Sequence, residues 1–184
     1  MIVVASLYLL LSAAEPAQER SITIEAYIAS LQTGEKETVR RPVDEREASR
    51  LKEINPEKTQ NIEVAFAAFD QCRRAAKDRF NGQLALEVAK RLSNSELVKL
   101  TQYNRNGDYE KYIVLSDKEM EDSLSTQEQL ELKRISKSYP IDKLTKLIIE
   151  VGMSVFGSAE ATASFSSCDQ VRSRNLSQNG IRLQ

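Results

Sequence analysis

The sequence predicts an all-α protein, a helical bundle that includes two pseudo-repeated helical hairpins. The first observation is a recurring phrase, Leu-Ser with a glutamate three residues after the serine, at Leu92–Glu96, Leu115–Glu119 and Leu124–Glu128. The serine side chain can accept a hydrogen bond from the amide three residues on, while the glutamate reaches back to the serine amide, so each copy predicts a helix start. The second observation is that apolar residues elsewhere recur every three or four positions, which is typical of amphipathic helices.

Composition limits the classes of function. The 184 residues, 41% of them apolar, are enough for one domain with a real core. Lys and Arg number 26 against 27 Asp and Glu, so charge gives no reason to expect a nucleic-acid partner. The chain has no histidine, the commonest near-neutral proton shuttle and zinc ligand. We therefore predict no catalytic residue, metal site or cofactor, and any enzyme here would use carboxylates, Lys, Tyr, Ser or a thiol.

Residues 1–14 are predicted to be an export signal. Ile2–Leu11 is almost wholly apolar, and Ser12-Ala13-Ala14 supplies the small residues that a signal peptidase needs before Glu15. The apolar run is too short for a stable membrane span. No Lys or Arg precedes it, unlike an ordinary signal, and a buried helix is the alternative interpretation.

Three helices are predicted before the repeated phrases. Residues 21–34 carry Ile24, Tyr27, Ile28 and Leu31 at helical spacing; a strand is the alternative, because residues 22–28 also alternate. Asp44 caps a short helix that ends near Ile54. Asn55-Pro56 opens the longest helix, which we expect to stop at Asn81-Gly82. A shorter helical pattern at Leu84, Ala85 and Val88 then continues into the first Leu-Ser phrase.

An internal repeat follows. Placing Leu92 on Leu124, at an offset of 32 residues, aligns apolar positions as well as caps. Each copy is predicted to be a helix, a turn at Asn106-Gly107-Asp108 or Ser138-Tyr139-Pro140, and a second helix. The residues expected inside the resulting core are Leu97, Leu100, Leu132, Leu144 and Ile148.

The last apolar stripe runs from Ile141 to Val155 and stops at Gly157. Residues 158–184 are rich in Ser, Asn and Gln, so we expect a poorly ordered polar tail anchored at most at Phe165 and Cys168. The predicted organisation is a signal peptide at 1–14, one all-helical domain at 15–157, and the tail.

The repeat resembles the domain-of-unknown-function family 2059. The resemblance lies in Leu92-Ser93-x-x-Glu96-Leu97-x-x-Leu100 with Tyr103, then Gly107-x-x-x-Lys111-Tyr112, and more loosely in Leu132, Ser138, Pro140 and Lys143. It covers about 50 residues and lacks the family's Phe-Tyr pair and the Ser-Pro before the glycine. It implies a small exported bacterial helical protein and adds no site.

Tyr109 and Tyr112 are the candidate binding residues. Four of the six tyrosines, Tyr103, Tyr109, Tyr112 and Tyr139, lie in the repeat, and tyrosine suits both a core edge and a recognition surface. Packing is the alternative interpretation for the pair.

Glu119, Glu121 and Asp122 are interpreted as partners of a helix start rather than an acid–base site. Arg73, Arg74, Lys77 and Arg79 are interpreted as a solvated helix face, with an anion-binding patch as the alternative.

Cys72 and Cys168 are a candidate disulfide, because two cysteines in an exported protein lie in an oxidising compartment where a disulfide can form. The alternative is a small buried side chain at Cys72 and a free thiol at Cys168.

Taken together, these features predict a periplasmic or secreted binding or scaffolding module that meets a protein or small ligand in the bacterial envelope. The alternative is a hydrolase whose carboxylate or serine site only the fold assembles. The sequence identifies neither the ligand nor the oligomeric state.

If Ala14 precedes the cleavage site, the mature protein begins at Glu15 and fractionates outside the cytoplasm. N-terminal sequencing of the purified protein, with cell fractionation, checks this expectation. An intact Met1 terminus in the cytoplasmic fraction contradicts it.

Overall fold

The structure is a computed structural model that describes the backbone of residues 3–31 and 42–183 and the side chains of residues 17–31 and 44–183. All regular secondary structure in these ranges is helical, which confirms the predicted all-α class. The helices are α1 (Val3–Leu31), α2 (Pro42–Ile54), α3 (Thr59–Lys90), α4 (Asn94–Arg105), α5 (Asp108–Met120), α6 (Thr126–Ser138), α7 (Ile141–Phe156) and α8 (Ala159–Gln178), with a 3-10 turn at Pro56–Lys58. Among the described helices, none has the length and apolar character needed to cross a bilayer.

The chain forms two compact helical units. The first unit consists of Met1–Glu35 and Leu84–Val151, and the second of Lys36–Gln83 and Gly152–Gln184. The predicted boundary at residue 157 therefore does not coincide with a unit boundary. Each unit combines segments that are distant in sequence, and composition does not reveal such pairings.

The N-terminal helix confirms the helical interpretation of residues 21–31. Tyr27 is buried, whereas Ile22 on another face of α1 is exposed. The α1 backbone passes through the predicted cleavage point after Ala14 without a break. The side chains of residues 3–16 and the end of the helix predicted over residues 21–34 lie outside the described residues, and cleavage stays a prediction.

In the first unit, α1 packs against α4, α4 against α5, and α5 against α6. Arg20 of α1 forms hydrogen bonds with the C-terminal end of α3 and the residues after it. Its guanidinium donates to the carbonyl oxygens of Ala89 (3.1 Å), Lys90 (3.3 Å) and Leu92 (2.6 Å), and to Asn94 Oδ1 (2.6 Å). The last carbonyl groups of a helix lack partners within it, so a cation from another helix satisfies them and favours the negative helix end.

Two of the three Leu-Ser phrases begin helices. The Ser93 and Ser125 side chains each accept from the amide of the glutamate three residues on, and Glu96 and Glu128 each accept from the serine amide, at 2.7 and 2.9 Å. The prediction for the phrase at Leu115 is wrong, because Ser116 lies inside α5. A capping serine needs an extended backbone. Here the burial of Leu115 keeps the segment helical.

The two capping glutamates also form pairs between helices. Lys143 of α7 donates to Glu96 at 2.7 and 2.9 Å, and Lys118 of α5 donates to Glu128. The lysine and serine hydrogen bonds lower the pKa of each carboxyl to about 2. Each box therefore fixes a helix start and also joins that helix to a neighbour.

The predicted core of the first unit is correct for Leu97, Leu100 and Leu132, which are buried. Leu144 is half-buried. The prediction for Ile148 is wrong, because its side chain is 42% exposed. An apolar stripe specifies a face of α7, but neighbouring helices decide how wide a part of that face they cover.

The predicted stop at Asn81-Gly82 is wrong, because α3 continues to Lys90. Glycine inside a helix costs only about 1 kcal/mol relative to alanine. Burial of the α3 residues Phe80, Val88 and Ala89 outweighs that cost.

The core of the second unit includes Ala48, Leu51, Ile62, Ala65, Phe66, Leu176 and Ile181. The buried Asn55 amide holds the end of the chain in this core. It donates to the Leu51 and Arg182 carbonyls, at 2.9 and 3.0 Å, and accepts from the Arg182 amide at 2.9 Å. Arg172 lies over the Phe69 ring at 4.6 Å and donates to Glu47 at 2.7 Å.

The prediction of a poorly ordered tail is wrong, because residues 159–178 form α8. The Ser158 side chain caps this helix by accepting from the Ala161 amide at 3.1 Å. Three of its apolar residues, Ala161, Cys168 and Leu176, are buried. A polar helix can thus be ordered by a small number of well-placed contacts.

The structure joins Cys72 of α3 to Cys168 of α8 in a disulfide, with 5.6 Å between the Cα atoms. The bond links positions 96 residues apart. In the chain-entropy model, a cross-link that closes so long a loop restricts the unfolded chain strongly.

Reduction of this disulfide is expected to lower the free energy of unfolding by about 4 kcal/mol, because the unfolded chain regains the entropy of a 96-residue loop. Urea denaturation followed by circular dichroism, with and without reductant, measures the change. The double variant Cys72→Ser/Cys168→Ser is the control and should be insensitive to reductant. Two free thiols in the unreduced, denatured protein would contradict the bridge.

Candidate functional site

The candidate site lies in the first unit and begins at a tight turn between α4 and α5. Gly107 adopts φ +69°, the left-handed conformation that glycine adopts without strain, which confirms the predicted turn at this position. A Cβ on Gly107 would come no closer than 3.7 Å to Glu110, so backbone conformation is the constraint and space is not. The turn places Asp108 and Tyr109 at the start of α5, beside the last residues of α4.

Tyr103 is the centre of an aromatic cluster. Its side chain is only 2% exposed and three rings surround it. Tyr109 and Tyr112 meet it nearly edge to face, with centroids at 5.9 and 6.5 Å, and Tyr139 packs at 4.9 Å. Such tilted arrangements are favourable for aromatic pairs. Burial raises the pKa of Tyr103, so its hydroxyl stays neutral.

A buried carboxylate lies beside this cluster. Asp108 is 4% exposed and accepts hydrogen bonds from the Tyr139 hydroxyl at 2.6 Å and from Arg134 at 2.9 Å. Burial by itself would raise the pKa of Asp108, but the hydrogen bonds from Tyr139 and Arg134 outweigh it and hold the pKa below its usual value. Asp108 is therefore ionised, and each of its oxygens has a partner.

Arg134 connects this network to the surface. Its guanidinium also donates twice to Glu131, both times at 2.9 Å. The hydrogen bonds to Glu131 and Asp108 raise the pKa of Arg134 and lower that of Glu131. The network thus joins the α4–α5 turn to the last two turns of α6.

The structure brings the two predicted binding residues together around Tyr103. Tyr109 is 49% exposed and Tyr112 is half-buried. Ile113 and Met120, which are also exposed, lie further along the same side of α5, with the exposed Asp117 between them. Binding and packing, the two interpretations of this pair from the sequence, are therefore compatible. Both rings pack on Tyr103, while Tyr109 keeps a large exposed area.

The other charged candidates lie elsewhere. Glu119 is at the C-terminal end of α5, followed by Glu121 and Asp122, so their interpretation as partners of a helix start is wrong. In the second unit, Arg73 lies over Phe69 at 5.4 Å, and Arg79 pairs with Glu160. Among the described residues, no group of three His, Cys, Asp or Glu side chains is arranged to hold a metal ion.

Sequence reasoning did not find the Asp108 network. Asp108 followed a turn glycine and was therefore interpreted only as part of the turn. Arg134 and Tyr139 are 26 and 31 residues further on and belong to the second copy of the predicted repeat. Asp108 at the first position of a helix is favourable in any case, so its type carries no signal of a tertiary partner.

No family model, curated protein or solved structure matches this chain. The resemblance to the family of unknown function stays a prediction, and the functional argument depends on the geometry above.

Replacing Asp108 by Asn is expected to lower the free energy of unfolding at neutral pH by about 1 to 3 kcal/mol, because Arg134 then loses its buried counter-charge. The folded-state pKa of Asp108 is below its unfolded value, so its stabilisation is present above the unfolded pKa, about 3.9, and is lost as the pH falls. Thermal melting between about pH 7 and pH 2 should therefore show a shallower acid decline in Asp108→Asn.

Asp117→Asn is the matched control, because Asp117 is exposed on the same helix. Equal melting profiles for the two variants would contradict the role of the Asp108 network.

Proposed function

We propose that this protein is an exported binding or scaffolding module of the bacterial envelope, which contacts its partner through Tyr109 and Tyr112. The observation that carries the proposal is the half-exposed ring of Tyr109, held edge to face on the buried Tyr103.

The physical argument concerns the entropy of binding. A side chain that is mobile in the free protein loses rotamer freedom when a partner orders it, at about 0.5–1.5 kcal/mol. Tyr109 is already packed on one side, so less of this cost falls on association. Tyrosine also offers a large apolar ring and a hydroxyl group, which suits contacts at the edge of an interface.

The environment of the two rings supports a rigid surface. Tyr112 touches the same central ring as Tyr109, and Asp108 fixes Tyr139 on another side of it. The exposed side chains of Ile113 and Met120 lie further along the same helix.

Three features support export. The first 14 residues have the small-residue boundary and apolar run of a signal peptide. The disulfide between Cys72 and Cys168 is a bond that persists in oxidising compartments. The resemblance to the family of unknown function also implies an exported bacterial protein.

The hydrolase alternative has no comparable support. A general base must be unoccupied and have a pKa near the working pH. Asp108 has a lowered pKa and donors on both oxygens, so it is a structural carboxylate.

Photo-crosslinking tests the surface directly. The full chain carrying p-benzoylphenylalanine in place of Tyr109 is expected to form a covalent adduct of defined mass in an envelope extract, because the replacement keeps an aromatic ring at the proposed contact. The same group in place of Val64, which is exposed in the second unit, is the control and should form none. Mass spectrometry identifies the partner.

Alanine variants separate binding from folding. Tyr109→Ala/Tyr112→Ala should fail to compete for the adduct while retaining a cooperative thermal transition, whereas Tyr103→Ala should lose about 3–5 kcal/mol as a core aromatic truncation. If the double variant competes as well as the unmodified protein, the two tyrosines serve packing alone and the proposed surface is wrong.

A further inference from the structure

A second surface on the first unit is a groove between two neighbouring helices. It lies between α5 and α6 and has a volume of about 510 Å³. Its lining residues are Glu110, Lys111, Val114, Leu115, Gln127, Glu128 and Glu131. We call it the α5–α6 groove.

The lining of the groove includes two apolar side chains, Val114 and Leu115 of α5, and charged or polar side chains from both helices. Val114 is 55% exposed although it lies next to the buried Leu115. Three of the lining side chains are carboxylates and one is a lysine. Cations outside the lining pair with some of these carboxylates, so the charge offered to an occupant depends on which carboxylate has no partner.

The three carboxylates differ in their partners. Glu128 is engaged by Lys118 and Ser125, and Glu131 by Arg134. Glu110 forms no hydrogen bond or salt bridge with any described residue. Lys111, the only cation in the lining, is directed toward Asp108, at 3.9 Å. Glu110 is thus the carboxylate whose charge is left for an incoming lysine or arginine.

The two helices that line the groove determine which conformation a bound peptide can adopt. Both are α-helices, whose mid-helix amide and carbonyl groups are already paired, so an extended peptide finds no backbone donors as it would at a sheet edge. Binding then depends on side chains inserted between the two helices. An amphipathic helix presents such side chains at positions i, i+3, i+4 and i+7.

We propose that the α5–α6 groove binds a short cationic amphipathic helix of a partner protein, with apolar side chains against Val114 and Leu115 and a lysine or arginine paired with Glu110. This proposal is independent of the tyrosine surface. Tyr109 and Val114 are five residues apart on α5 and therefore about 140° apart around the helix.

The test uses fluorescence anisotropy with the full chain and three fluorescein-labelled model peptides. The first has leucine and lysine at amphipathic helical spacing, the second has the same composition in scrambled order, and the third has glutamate in place of lysine. The first peptide should bind saturably and more weakly as salt rises, because an exposed charge pair is screened. The other two should bind at least about tenfold more weakly, since each loses either the apolar face or the charge match.

Two groove variants and two matched controls locate the binding. Val114→Asp should weaken binding of the first peptide at least about tenfold, because it removes apolar burial and adds an unpaired charge. Glu110→Lys should weaken it severalfold. Val98→Asp on α4 and Glu119→Lys on α5 change exposed residues outside the groove lining and should leave binding unchanged.

Further outcomes decide the proposal. Equal binding by the unmodified chain and both groove variants would overturn it, as would the absence of saturable binding by the first peptide. Sedimentation of the unmodified chain and Val114→Asp tests a second copy as occupant; a dimer that Val114→Asp dissociates would also overturn the peptide assignment. Retained peptide binding in Tyr109→Ala/Tyr112→Ala is expected, whereas its loss there alone would place the peptide on the tyrosine surface.

Discussion

Burial of the Asp108 charge is the constraint on which the arrangement of the candidate site depends. An ionised carboxylate that is 4% exposed is stable only with strong partners. Arg134 and Tyr139 supply them from the end of α6 and the residue after it. The same contacts set the position of the Tyr139 ring against Tyr103, so electrostatics and aromatic packing at this site depend on one another.

This coupling explains how the exposed Tyr109 is oriented. Tyr109 and Tyr112 pack on Tyr103 at large interplanar angles, and Tyr139 packs on the same ring at a shorter distance. The Gly107 turn supplies the reversal that brings α5 back to α4. A surface residue thus inherits its orientation from a buried network, which is the usual requirement for a precise contact.

The α5–α6 groove is formed by a different part of the same helices. One side of α5 contacts α4 through the tyrosines, and another side faces α6 across Val114 and Leu115. Lys118 pairs with Glu128 and Arg134 with Glu131 on α6. Glu110 is therefore the lining carboxylate that remains for a cationic partner. The chemistry proposed for the two surfaces therefore differs, although both depend on α5.

The sequence by itself determined the local features, because a capping box, a left-handed turn and a helical apolar stripe are each formed by residues close in the chain. The helix starts at Ser93 and Ser125, the Gly107 turn and the all-α class were predicted on this basis. Tertiary structure decided the rest. Ser116 became helix interior, the polar residues after 158 became α8, and Asp108 acquired partners, since each outcome depends on contacts between distant segments that have no pattern in the sequence.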